Sequence, residues 1–566
     1  MGISMSGGSS TVDAWEAPGP GTWTLDTAHF EPSVSRPVRD VMEAAMSIGL
    51  TQGFELAGAP LRRLDARFVH GHMYTRMVPL FGAGRDLPPP PARVVWLVTR
   101  LHPEFRRRAR RSVDALASRY WMDELARWER EWKPKLRATN RRLGDVPVGA
   151  LSARELGRHL ASVLDHVNES HVLHFRLHTS DLAPIAQLLL KARELDLDEA
   201  AVMSTLAGAS PATSAPAVAA AAIAVEIEAA QASPASLDEI RAVSDRAAAL
   251  LDEYLAEFGN RISTGYDLRD RTLAEIPEVI VTTIVAADTS ADRADAAESR
   301  GAAALDGLLA GVPETERAEV VSLVEDARAL YGLRDENGPL TVQWPLGVLR
   351  KALLEAARRL LDAGRIHEVE HVFDASIEET VAMLDGADVP SADDLAERCA
   401  ARRRLADLDP PTVLGPPAVD PPIEVLPGEM GRMMRGVMLV MELLEREDHV
   451  TVDVARSTGL SGVGIGQRAV RGVARVVADA NEAFDRVEPG DIIVTRLTVP
   501  TFNSVLAMAG GVVTLGGGLL SHTAVIAREL GIPAIVGVPG ALTEIPDGSE
   551  IEIDPVAGTV TVVGDG

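Results

Sequence analysis

His522 lies in the run Gly517-Gly-Leu-Leu-Ser-His-Thr-Ala-Val-Ile-Ala-Arg-Glu-Leu-Gly-Ile-Pro533, whose residue types suit an imidazole to accept a phosphoryl group. A strand-like stretch, Gly511-Val-Val-Thr514, leads into three glycines, and a helix pattern starts at Ser521. His522 then falls on the first helical turn, behind a loop whose backbone can approach a ligand closely. The unbonded N–H groups and positive dipole end of such a turn favour an anion. A neutral imidazole held there can attack phosphorus, and the charge it gains is partly offset. Gly517 and Gly518 let backbone N–H groups face that anion. Ser521 and Thr523 are placed to hydrogen-bond the ring or the phosphoryl oxygens. Arg528, about a turn and a half along the helix, either neutralises phosphate charge or pairs with a surface carboxylate.

A second group is His166, His171, His174 and His178. The last three share one helix face. They suit a base that deprotonates a hydroxyl acceptor, or else an ordinary polar face or core histidines bonded to backbone. The segment has no His-Glu-x-x-His pattern, and no metal site is expected. His70 and His72 lie in residues 68–76, which alternate like one strand and place both rings on one face, either lining the same pocket or solvated. Cys399 sits in a helical stretch and reads as packing. The series Met430, Met433, Met434, Met438 and Met441 falls at helical spacing and reads as a core or docking face.

These residues need a scaffold of two kinds. Residues 1–22 are small and polar and read as a disordered leader. Residues 23–408 read as a mostly helical acceptor region, with a division near the Ala-rich segment 207–235, taken as a hinge or surface helix. Residues 287–305 read as a solvated acidic helix. Residues 409–464 comprise a Pro-rich linker, semi-rigid and extended over 409–422, and a helix at about 429–447. From Val470 the period becomes strand-like, so 465–566 reads as a compact α/β module. The fold class is multidomain, α plus α/β.

A chain of 566 residues exceeds one hydrophobic core. With 56 basic and 82 acidic residues the net charge is −26, which argues against nucleic acid or an anionic membrane as the main partner. One cysteine permits no intramolecular disulfide. Residues 1–21 lack the apolar core of a secretion signal, and Met1 to Ser6 fits only the loose myristoylation pattern. The expectation is a cytoplasmic protein.

The segment from Thr514 to Gly537 resembles the phosphohistidine mobile domain of the phosphoenolpyruvate-utilising enzymes. The pattern is met by Thr514, Gly517, Gly518, Ser521, His522, Ala524, Ala527, Arg528, Gly531, Ile532, Pro533, Ala534 and Gly537. Leu515 departs from it, standing where the family has Asp or Glu. The layout resembles phenylphosphate synthase and rifampin phosphotransferase-like proteins without an ATP-grasp domain. That resemblance implies a β/β/α swivelling domain, a phosphohistidine at His522 and an acceptor region in the helical body. It also suggests Arg261 and Arg334 as steadying a phosphoryl group or substrate, the alternative for each being a helix-surface ion pair. No cofactor motif is recognisable, and the phosphoenolpyruvate barrel has no room after His522. ATP and Mg²⁺ are therefore expected through a separate ATP-grasp subunit, and the acceptor as a small organic hydroxyl, phenols among the candidates; a homo-oligomer is compatible. The alternatives are a phosphocarrier relaying phosphate to another protein, and a component of a pyruvate- or phosphoenolpyruvate-directed synthase.

Overall fold

The computed structural model describes residues 15–26, 30, 34–81, 90–287, 289, 293–417, 422–445, 460–466, 468–478, 480–498, 502–519 and 521–563. The myristoylation pattern and the start of the leader lie outside these residues.

The helical body is organised around Ala153–Asp181, a helix of 29 residues opened by a capping box between Ser152 and Glu155. Its inward stripe of Leu156, Leu160, Val163 and Val167 is fully buried. Arg36–Ala57 lies along it at close range because Gly49 and Gly53 face it. A Cβ on Gly49 would sit 2.4 Å from the Val172 carbonyl oxygen, and one on Gly53 would sit 2.4 Å from Thr179 Oγ1. Arg317–Gly338 and Trp344–Asp362 pack on the same helix and close the core. The helix Gly428–Glu445 buries Met430, Met433 and Met434 against Ala183–Glu194 and Pro103–Ser118, and leaves Met438 exposed. The side chain of Met441 is outside the described residues.

Beside the helices lies an antiparallel sheet in the order Leu61–Val69, His72–Pro79, Trp23–Leu25, Val413–Leu414. It corrects three expectations. Residues 68–76 are not one strand: His70 (φ 49°) and Gly71 (φ 81°) turn the chain into a hairpin, using the left-handed backbone that such turns demand. The Pro-rich stretch is not wholly a linker, since Val413 and Leu414 pair with Trp23 and Thr24 and supply an edge strand; residues 418–421 lie outside the described set. Packing also begins ahead of residue 23, because the Trp15 ring meets His70 and His72 edge-on and the Trp23 indole donates to the Gly19 carbonyl.

The Ala-rich segment forms Pro211–Ala229. By length and composition Ala212–Ala229 is apolar enough to cross a membrane. Here it packs against Asp245–Tyr254 and Pro277–Val285, burying Ala220, Ile223 and Ile227.

The C-terminal part is an eight-stranded mixed sheet. Its order is Leu460–Ser461, Thr559–Val562, Glu550–Asp554, Val470–Val476, Ile492–Thr495, Gly511–Thr514, Ala534–Val536, Val463–Ile465. The run from Val470–Val476 through Ala534–Val536 is parallel, and the flanking pairs are antiparallel. Fully buried Ile492–Thr495 and Gly511–Thr514 explain the unbroken apolar runs. The chain is thus a mostly helical body with a C-terminal α/β module, as expected for α plus α/β.

Candidate functional site

The parallel strands Ile492–Thr495 and Gly511–Thr514 end level, with Thr495 opposite Thr514. Both hydroxyls are buried without a hydrogen-bond partner. Residues 515–519 cross this edge. Gly517 has φ 113°, a conformation that favours glycine. Gly537 (φ 68°) must stay bare as well, because a Cβ there would lie 2.8 Å from the Gly517 carbonyl oxygen. The loop is therefore pressed against the neighbouring strand's exit, and the Gly537 N–H donates to the Gly516 carbonyl at 3.2 Å.

The helix His522–Leu530 follows. Ser521 is its N-cap: its hydroxyl accepts from the Ala524 N–H (3.2 Å) and donates to the Gly518 carbonyl (2.8 Å). Gly531, at φ 69°, closes the helix as a left-handed cap. His522 occupies the first turn, half-buried. Burial, and then the nearby Arg334 cation, pull its pKa from 6.5 down to about 3. The ring is neutral at physiological pH, the form a nucleophile requires.

Arg334 comes from Arg317–Gly338 in the helical body, and its Nη1 is buried with no hydrogen-bond partner. Arg334 belongs to the expected acceptor set, and its charge reaches His522. The face of His522–Leu530 that carries His522 also carries Val525, which joins the body's apolar cluster of Ile185, Leu188 and Tyr331, with Leu519 packed beside it.

Arg528 is 9% exposed and is held within the protein, donating to the Leu519 carbonyl at 2.8 Å and bonding Tyr331. It laces the glycine loop to the helix and meets no surface carboxylate in that bond. Thr523 is 1% exposed and shares a 2.7 Å hydrogen bond with Thr498, so it faces the module's interior and not the phosphoryl position.

Two residues without a role in the motif complete the docking. The Glu529 carboxylate accepts the Gly208 N–H at 3.1 Å, and also the Ser210 N–H. Burial, with the negative charge of Asp335, lifts its pKa from 4.5 to about 7. Arg300 donates to the Arg528 carbonyl at 2.7 Å, covering the helix's C-terminal end. Arg300 belongs to Arg293–Ala310, most of whose described side chains are exposed, as expected of the segment 287–305, while one side of it packs against His522–Leu530.

The histidine group divides. His171 is buried and its Nδ1 donates to the Val167 carbonyl at 2.8 Å; burial lowers its pKa to about 4, and it is a core residue. His166 is bonded to Asn140 at 2.8 Å and is likewise lowered to about 4 by burial. His174 and His178 do meet: their Nε2 atoms lie 3.0 Å apart, His174 Nδ1 is 3.1 Å from Thr341 Oγ1, and His178 Nδ1 is 3.2 Å from Asp181 Oδ2. Asp181 was legible as i+3 from His178 on the shared face.

The remaining candidates lie elsewhere. His70 and His72 do not share a strand face: one is in the hairpin turn, while the other is buried with Nε2 3.3 Å from the Leu405 carbonyl. Arg261 is half-buried, paired with Glu257 at 2.8 Å and stacked over Phe258 and Trp344; burial lowers its pKa to about 10. Cys399 is buried in the body beside Arg402 and its thiol is pushed up by burial, which fits packing. Among the described residues no group of three or more His, Cys, Asp or Glu is disposed to hold a metal ion.

Residues 487–558 match the family model for the PEP-utilising enzyme mobile domain, so this chain carries the domain that the motif resembled. The chain is 32% identical over 259 residues to a rifampicin phosphotransferase of Streptomyces sviceus, covering 45% of this chain and 26% of that protein. It is 40% identical over 107 residues to a phosphoenolpyruvate synthase of Aquifex aeolicus, covering 19% and 12%. An uncharacterised protein of Mycobacterium tuberculosis is 33% identical over 216 residues, covering 38% and 22%. The chain thus spans about a quarter or less of the length of these relatives.

Proposed function

We propose that this chain, which matches the PEP-utilising mobile domain over residues 487–558 and is similar to a rifampicin phosphotransferase over part of its length, is the histidine-bearing component of a dikinase-type system. His522 receives a phosphoryl group from a nucleotide on a separate ATP-grasp unit, where ATP and Mg²⁺ are handled. It then passes that group to the hydroxyl of a small organic acceptor held against the helical body. The relatives named rifampicin phosphotransferase support an organic acceptor, and a phenolic hydroxyl is the class tested beside rifampicin.

The observation that carries this reading is the meeting of a neutral His522 with Arg334, whose buried Nη1 lacks an acceptor. In loading, a ring nitrogen forms the N–P bond as the P–O bond of the donor breaks. The new anion lies at the first turn of His522–Leu530, beside the Arg334 guanidinium. In delivery, the acceptor oxygen forms a P–O bond while the N–P electron pair returns to the ring. Such a transfer needs positioning and charge neutralisation above all.

The test uses phosphoramidate, a direct donor that bypasses the partner. The full chain should acquire acid-labile phosphate on His522, seen by peptide mass spectrometry, and H522A should not. Adding rifampicin or phenol should move that phosphate into an organic ester. Phosphate absent from His522 would overturn the reading, and phosphate leaving only to another protein would make the chain a carrier.

A further inference from the structure

Two polar atoms near the docked face of the body are buried without a partner: Asp181 Oδ1 and Arg334 Nη1. The first ends the helix Ala153–Asp181, and the second lies on Arg317–Gly338, which packs against it. Asp181 is fully buried. An unpaired carboxylate oxygen in such a place is costly and seeks a donor; an unpaired guanidinium nitrogen seeks an acceptor. A hydroxyl attacking a phosphoryl group offers both at once: its proton to the first, and a phosphoryl oxygen to the second.

The far side of the carboxylate is already organised. The Thr341 hydroxyl lies 3.1 Å from His174 Nδ1, His174 Nε2 lies 3.0 Å from His178 Nε2, and His178 Nδ1 lies 3.2 Å from Asp181 Oδ2. This series fixes the Asp181 plane and leaves Oδ1 as its open acceptor. Asp335 on Arg317–Gly338, Tyr120 on Tyr120–Arg127 and His178 are among the charged or titratable groups around it. Leu182, next to Asp181 in the chain, packs against the apolar cluster that holds Val525 and Leu519, so the carboxylate lies on the side of the body that receives the His522 helix.

We propose that Asp181 is the general base of the delivery step, taking the acceptor's hydroxyl proton at Oδ1, with His178 and His174 orienting it. This rests on the phosphotransfer reading above. The acceptor O–H proton moves to Asp181 Oδ1, the oxygen lone pair forms the O–P bond, and the N–P bond of phosphorylated His522 breaks. The ring, whose second nitrogen keeps a proton, leaves as neutral imidazole. Asp181 thereby does at a carboxylate what was expected of a histidine on the same helix face.

The full chain is loaded with phosphoramidate, and loss of phosphate from His522 is timed in water alone, with phenol and with rifampicin. D181N and D181A should load like the unsubstituted chain and release about 100-fold more slowly. Formate should restore part of the rate to D181A, which a purely structural aspartate would not allow, and should leave the unsubstituted chain unchanged. H178Q, which keeps the carboxylate and loosens its orientation, should lose about tenfold and covers the case in which the Asp181 variants fail to fold. Equal release by folded D181N, or by H178Q where D181N does not fold, overturns the proposal, as does formate-insensitive D181A. Failure of the unsubstituted chain to load or deliver sinks the phosphotransfer reading itself.

Discussion

At His522 the decisive fact is a ring kept neutral by its surroundings. Its acid form is disfavoured to a pKa of about 3, first by burial and then by Arg334. Because this value lies below the ordinary 6.5, the folded state gains nothing from protonation, and the group's contribution to stability falls as pH drops below 6.5. Loading by phosphoramidate, corrected for the donor's own titration, should therefore show no fall centred near pH 6.5, and should persist toward pH 4. A midpoint at 6.5 in the loading rate would contradict this. Gly517 adds a conformational prediction. With φ 113° and Ser521 Oγ 3.3 Å from an added Cβ, G517A should cost about 1–3 kcal/mol in thermal or chemical unfolding. It should also slow loading, because the loop can no longer lie flat under the imidazole. T523V should behave differently. It leaves Thr498 Oγ1 without its 2.7 Å partner and should destabilise by about 1–3 kcal/mol, with delivery unchanged.

The element that matters is the helix His522–Leu530, which carries its reactive end and its anchors on one face. Glu529 receives N–H groups where Pro211–Ala229 begins, and Arg300 covers the opposite end. In the docked state the Glu529 carboxyl is raised from 4.5 to about 7, chiefly by burial and then by Asp335. Its contribution to docking is therefore complete below pH 4.5 and is lost as pH rises through 7. A fluorescence distance between the α/β module and the helical body should lengthen between pH 6 and 8. E529Q should abolish that dependence while keeping an oxygen for Gly208 N–H. An unchanged pH response in E529Q would show that another group controls docking.

Across the whole molecule, periodicity was a good guide to local structure and a poor one to what meets what. The strands from Val470 onward and the cap at Ser521 were legible, because alternating or unbroken apolar runs and an N-cap serine are local signals. The partnership of His522 with Arg334 was suggested only by family resemblance. Glu529 with Gly208, and Arg300 with the end of His522–Leu530, join segments separated by 321 and 228 residues, and no local signal marks them. His171 misled because helical spacing shows a shared face without saying that the face turns inward at that depth. The Pro-rich stretch misled for a related reason: Val413 and Leu414 lie between prolines but find an open strand edge at Trp23–Leu25. Leu414 is 4% exposed there, and L414A should destabilise the body by about 2–5 kcal/mol without altering phosphoramidate loading of His522. Equal loss of loading would show that body and module unfold as one unit.

Leu519 and Val525 press the rim of the glycine loop onto Ile185, Leu188 and Tyr331. Nitrogen–phosphorus bonds are cleaved spontaneously by water, so under the proposed phosphotransfer this oily collar would set how long a loaded His522 survives while no acceptor has arrived. A polar residue at either of these two aliphatic positions is then expected to shorten the lifetime of phosphoramidate-loaded His522 in water, although neither side chain takes part in the chemistry.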